Sequence, residues 1–138
     1  MTDASSAAAA TDRLLEATNR HDLGALVECF TPGFVNETPA HPARSFTGHE
    51  QVRRNWGQIF AGVPDLQTRI LRRAIDGATV WTEWEMTGTR LDGSPHLMRG
   101  VGILGVEDGR FGWIRFYLEP VEQGGVGIDQ AVREHLGR

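Results

Sequence analysis

Apolar positions along the chain follow two different spacings. Leu14, Leu15, Ala17 and Thr18 recur at helical spacing until Asn19-Arg20-His21-Asp22 interrupts them. Leu23, Leu26, Val27 and Phe30 predict a second short helix, with Asp22 as its cap and Thr31-Pro32-Gly33 as its stop. Residues 34–38 are an extended segment ended by Pro39 and Pro42. A third helix carries the stripe Val52, Trp56, Ile59 and Phe60 and stops at Gly62 and Pro64. Thr47-Gly48-His49-Glu50 in front of it has capping-box spacing, in which hydroxyl and carboxylate would each satisfy an orphan backbone donor.

From residue 65 onward the period is two. Segments 66–75, 79–90, 97–106 and 111–121 read as long strands rich in Trp, Thr, Val, Ile and Phe. Asp76-Gly77, Asp92-Gly93 and Asp108-Gly109 separate them, three pairs of the kind that close tight hairpins. Helices first and an antiparallel meander afterward predict an α+β domain whose helices cover one sheet face. The Ala/Ser-rich residues 1–10 read as a mobile tail, 123–127 as a Gly-rich linker, and 128–136 as a last short helix. There is no internal repeat.

Composition narrows the picture. A chain of 138 residues is enough for one domain and buries enough surface to fold without a metal or disulfide. Net charge is −4, which disfavours nucleic acid or an anionic membrane as partner. No apolar run approaches a membrane span, and the N-terminus has neither the basic start nor the apolar segment of a signal peptide, so a cytoplasmic location is expected. The lone Cys29 cannot form an intramolecular disulfide, and no His and carboxylate spacing suggests a metal site. His21, His41, His49 and His135 fall in loops or at helix ends and read as solvent-facing.

Several local motifs occur in a telling order. They are Asn19-Arg20-His21-Asp22, Phe30-Thr31-Pro32-Gly33-Phe34 and Phe46-Thr47-Gly48-His49-Glu50, followed late in the chain by 105–110 and 113–119. Over residues 11–121 the chain thereby resembles the nuclear transport factor 2-like superfamily. Within it, the chain resembles the SnoaL-like group of polyketide cyclases, ketosteroid isomerases and limonene epoxide hydrolase. The resemblance implies a conical barrel: a strongly bent antiparallel sheet with three N-terminal helices enclosing one pocket. It also implies that positions matching Asn36, Trp84 and Glu119 face that pocket. Strand alternation then puts Phe34 and Thr38 inward beside Asn36, and Met86 beside Trp84. On the last strand it puts Trp113, Arg115 and Tyr117 inward with Glu119, leaving Ile114, Phe116 and Leu118 outside.

Carried over residue by residue, the resemblance is selective. The ketosteroid isomerase roles fall on Leu14, Thr38 and Val101, which cannot perform them. The water-holding amide and water-activating carboxylate of limonene epoxide hydrolase fall on Asn36 and Glu119, while its remaining roles fall on Phe34, Trp84 and Met86. The expectation is therefore a SnoaL-like enzyme doing cofactor-free acid–base chemistry on a hydrophobic, oxygenated molecule such as a polyketide or terpenoid. Cyclisation, isomerisation, dehydration and water addition all fit. Glu119, poorly solvated among aromatic rings, would move the proton, with Asn36 and Tyr117 holding water or an oxyanion. Phe34, Thr38, Trp56, Phe60, Trp84, Met86, Arg99, Trp113 and Arg115 would contact the substrate. The alternative is a non-catalytic module of the same fold, in which Glu119 sits at a strand end and pairs with a surface arginine. In either case Ile114, Phe116 and Leu118 on the outer face would suit a homodimer.

Overall fold

The computed structural model describes residues 2–138. Among them are four α-helices: α1 (Asp3–Asn19), α2 (Leu23–Glu28), α3 (His49–Gly62) and α4 (Ile128–His135). Seven strands are β1 (Phe30–Glu37), β2 (Phe46–Thr47), β3 (Gln67–Asp76), β4 (Thr79–Thr89), β5 (Pro95–Glu107), β6 (Arg110–Phe116) and β7 (Glu119–Pro120). The sheet runs β2-β1-β6-β5-β4-β3, and β7 continues the line of β6 along β5. It is a curved, unclosed sheet with α1, α2 and α3 against its concave side, the expected α+β cone. One pairing departs from the antiparallel pattern, because β1 lies parallel to β6. No helix among the described residues is long and apolar enough to cross a membrane.

The meander forms where the Asp-Gly pairs put it. Gly77 and Gly93 adopt positive φ, and at Asp108-Gly109 both residues do, with φ of 51° and 79°, the signature of a tight two-residue hairpin turn. Bulges between Ile70 and Arg72, between Gly105 and Val106, and within β1 add local twist and let the sheet curl around the helices. Asp22 caps α2 as expected, accepting from the Ala25 N–H at 3.0 Å.

Five expectations need correction. Residues 3–10 are not a loose tail, and residue 1 lies outside the described residues: α1 begins at Asp3, and Ala7 and Ala10 are buried in the core, where small side chains let the helix lie close. The capping box at α3 is not made, since Gly48, at φ 86°, is the N-cap and Thr47 is in β2. His21 and His49, read as solvent-facing, are partly buried and bonded to backbone carbonyls, Leu66 O at 2.8 Å and Phe30 O at 2.7 Å. The fourth strand segment is broken at Tyr117 and Leu118 into β6 and β7.

The fifth correction matters most for function. Ile114, Phe116 and Leu118 point into the cone, while Trp113, Arg115, Tyr117 and Glu119 point out. Ile114 pairs with the fully buried Leu104, and Arg115 reaches Glu37 on the outer face of β1 at 2.8 Å. The proposed dimer patch is therefore the cavity wall. Trp113 lies over Gly105 on the outside, where any Cβ would collide with its indole ring.

Candidate functional site

The cone encloses one cleft with two zones. The inner chamber, about 70 Å³, is lined by Phe30, Phe34, Val52, Trp84, Ile114 and Leu118 among others. It opens past Asn36, Phe46, Trp56, Met86, Phe116 and Leu118, residues shared by both zones, into a mouth of about 810 Å³. That volume lies within the range of roughly 300–1,000 Å³ typical of small-molecule sites. The mouth lies between α3 and the tip of the β4–β5 hairpin, which contributes Arg90, Leu91 and Asp92.

In the inner chamber nearly every polar atom is already satisfied. The Trp84 indole N–H donates to Thr82 Oγ1 at 2.6 Å, and that hydroxyl donates to Gly102 O at 2.7 Å. The Thr18 hydroxyl donates to Leu14 O at 2.7 Å. Asn36 is the exception. Its Nδ2 donates to Thr38 Oγ1 at 3.1 Å, and no protein group bonds its other amide atom. No sealed polar side-chain atom among the described residues lacks a partner, so that second atom opens on the cavity. Because the Thr38 hydroxyl can either donate or accept, the amide can turn an acceptor or a donor toward a ligand.

The mouth is wetter. Thr38, Arg44, Asn55, Gln58, Arg90, Asp92 and His96 line it. The Asp92 carboxylate is tied up by Ser94, whose hydroxyl and N–H donate at 2.6 and 2.9 Å and hold its pKa below the usual carboxylate range. Partial burial, and secondarily the Arg90 charge, push the His96 imidazole below its ordinary pKa. It is therefore mostly neutral near pH 7.

Of the expected site residues, the structure brings Phe34, Asn36, Thr38, Trp56, Trp84 and Met86 to this cleft. The others lie elsewhere. Phe60 stacks on His21, ring centroids 4.5 Å apart, beside Trp56 but outside the lining. Arg99 and Arg69 grip Glu85 on the outer face at 2.9 and 2.7 Å. Arg115 and Tyr117 are outside, with the Arg115 guanidinium 3.5 Å from the Tyr117 hydroxyl. Glu119 does not line the cavity: it meets His41 at 2.7 Å in a pair that is about two-fifths exposed. Its partner is thus a histidine, where the alternative reading expected an arginine. Arg44, Asn55, Gln58 and His96 are the cleft's polar residues that strand alternation could not single out, since three come from a loop and a helix. The apolar alternation of Ile114, Phe116 and Leu118 was the available signal for the inner wall.

A helix-covered cone of bent sheet with one internal cleft is the nuclear transport factor 2-like fold. Within that class the chain belongs to the SnoaL-like family, whose domain model matches residues 11–112. Among solved structures it is similar to an LEH-like epoxide hydrolase of M. tuberculosis, at 21% identity and TM-score 0.72 over 84% of each chain. It is similar to a candidate ketosteroid isomerase of Kribbella flavida DSM 17836, at 22% identity and TM-score 0.72 over 99% of this chain and 90% of that one. IdmH of Streptomyces antibioticus, a candidate polyketide cyclase, matches at 23% identity and TM-score 0.71 over 82% and 91%. No curated protein matches the sequence significantly. Identities this low establish the fold and leave the reaction to the site.

Proposed function

We propose that the cone binds a hydrophobic small molecule bearing at least one oxygen, its apolar body in the inner chamber and that oxygen against Asn36. The supporting observation is the Asn36 amide, which keeps one atom free in a chamber whose other lining is apolar or already bonded. A pure hydrocarbon would leave that atom unpaired on binding, at a cost of about 1–3 kcal/mol. Polyketide and terpenoid skeletons fit this description.

A chemical step fits the same arrangement if His96 carries the proton. Its neutral imidazole is on the mouth, where a ligand held by Asn36 would emerge. Cofactor-free proton transfer of this kind underlies isomerisation, dehydration and aldol-type cyclisation alike. Glu119, turned away from the cleft, has no part in this reading.

Trp56 and Trp84 line the cleft, so intrinsic fluorescence reports occupancy. Mass spectrometry of organic extracts of the purified protein should yield a hydrophobic oxygenated molecule that quenches this emission when added back. Asn36→Leu should then weaken its binding about tenfold, the value of one neutral hydrogen bond. Unchanged affinity in that variant would refute the assignment. The homodimer is also kept as a proposal, resting on different residues: Trp81, 51% exposed on the outer face of β4 opposite Ile103 of β5. Light scattering on Trp81→Glu is its test, and a wild-type monomer at micromolar concentration would dismiss it.

A further inference from the structure

Arginine is the only strong cation in this chain: fourteen are present and no lysine. Seven of them, all outside the cleft, are within ion-pair distance of a carboxylate. Among the described residues, the two on the cleft mouth, Arg44 and Arg90, are not, although acidic residues outnumber basic ones in the whole chain. Arg44 comes from the short helical turn Pro42–Arg44, and Arg90 from the end of β4. The Arg90 guanidinium donates to the Ser94 hydroxyl at 3.3 Å, and its charge helps lower the pKa of Asp92 without coming within ion-pair distance of that carboxylate. The one carboxylate lining the mouth, Asp92, has its Oδ1 occupied by Ser94, and no glutamate lines either zone. The remaining mouth groups, Asn55, Gln58 and a largely neutral His96, carry hydrogen-bonding capacity and little charge.

Resting on the binding reading above, we propose that the natural ligand is an amphipathic organic acid, its carboxylate held at the mouth by Arg44 and Arg90. The planar guanidinium fork matches a carboxylate and can bond it through two parallel N–H groups, which a point charge cannot. The order of chemistry along the cleft is then apolar body, one oxygen at Asn36, and an anionic end at the opening. Burying the acid end in the inner chamber is excluded by desolvation, because no cation lines that zone. A neutral ligand of the same length would bind the same chamber and forgo the mouth contacts.

The test uses 5-oxodecanoate and its methyl ester, which share a mid-chain oxygen for Asn36 and differ in the charge of the end group, titrated by intrinsic fluorescence at neutral pH and low salt. Wild-type protein should prefer the acid by about tenfold or more, and added salt should erode that preference because the arginines are exposed. Arg44→Gln/Arg90→Gln should remove the preference while leaving binding of the ester unchanged. Arg53→Gln, on α3 and outside the cleft lining, should leave both as in wild type. Equal binding of the two probes, or a preference that survives in the double variant, overturns the acid assignment and leaves the hydrophobic-ligand reading intact. Failure of both probes to bind overturns the two together.

Discussion

Gly100 holds the inner wall of the cleft in place. It lies in β5 at φ 155°, a region essentially closed to residues with a Cβ. The segment joining β6 to β7 runs beside β5 and presses on it: a Cβ there would strike Tyr117 O and lie 2.6 Å from Leu118 Cα. These are backbone atoms, so no side-chain rotation relieves the clash. Gly100→Ala should cost about 1–3 kcal/mol in backbone strain and a similar amount in displacing residues 117 and 118, about 2–6 kcal/mol together. Unfolding entropy of about 2.1 cal/mol/K per residue converts each kcal/mol into about 3.5 °C for a chain this long, so Tm should fall by about 7–20 °C. Differential scanning calorimetry measures it directly. Gly57→Ala is the control. It lies within α3, where the added methyl meets only Leu23 Cδ2 at 3.8 Å, and should gain about 0.5–1 kcal/mol. A Gly100→Ala protein melting within about 2 °C of wild type would mean that residues 117 and 118 do not pack on β5 there. The inward placement of Leu118 would fall with it.

Three further outcomes follow from the charges and the thiol. Glu119→Gln should leave ligand affinity unchanged, because the carboxylate faces His41 outside the cleft; a marked loss in titration would refute that placement. Glu85 is held below its usual pKa of 4.5, first by the Arg69 hydrogen bond and then by Arg99. Its folded pKa being the lower one, its stabilisation is present above the unfolded value and disappears as pH falls through the folded value. The Tm gap between wild type and Glu85→Gln should accordingly be constant near neutrality and shrink below about pH 4.5; a gap independent of pH would contradict the pairing. Burial pushes the Cys29 thiol up to about 11, so iodoacetamide should label it slowly at pH 8 in the native protein and readily in urea. Equal rates in the two conditions would place that thiol at the surface.

Local chemistry determined most of the architecture. Asp-Gly pairs, period-two runs of β-branched and aromatic residues, and the Asp22 cap are interactions between near neighbours, legible without knowing where the chain goes next. Alternation on β1 and β4 likewise placed Phe34, Asn36, Thr38, Trp84 and Met86 together in the cleft. On β6 the alternation is equally plain, but the resemblance at Glu119 orients it one way and the apolar character of Ile114, Phe116 and Leu118 the other. Burial reversed it, since three large apolar side chains lose more by facing water than an ion-paired Arg115 and Glu119 do.

Much of the polar rim of the mouth was not in the sequence pattern. Arg44, Asn55, Gln58 and His96 come from a loop, a helix and a hairpin end, and they converge only because the sheet curls. That curl depends on bulges and on Gly100 lying against the segment that joins β6 to β7, contacts between residues far apart in sequence. Short-range preference can specify a strand or a turn; which side chains share a cavity is decided by long-range packing, and here that packing put Asn36, Arg44 and Arg90 on the cleft and Glu119 outside it.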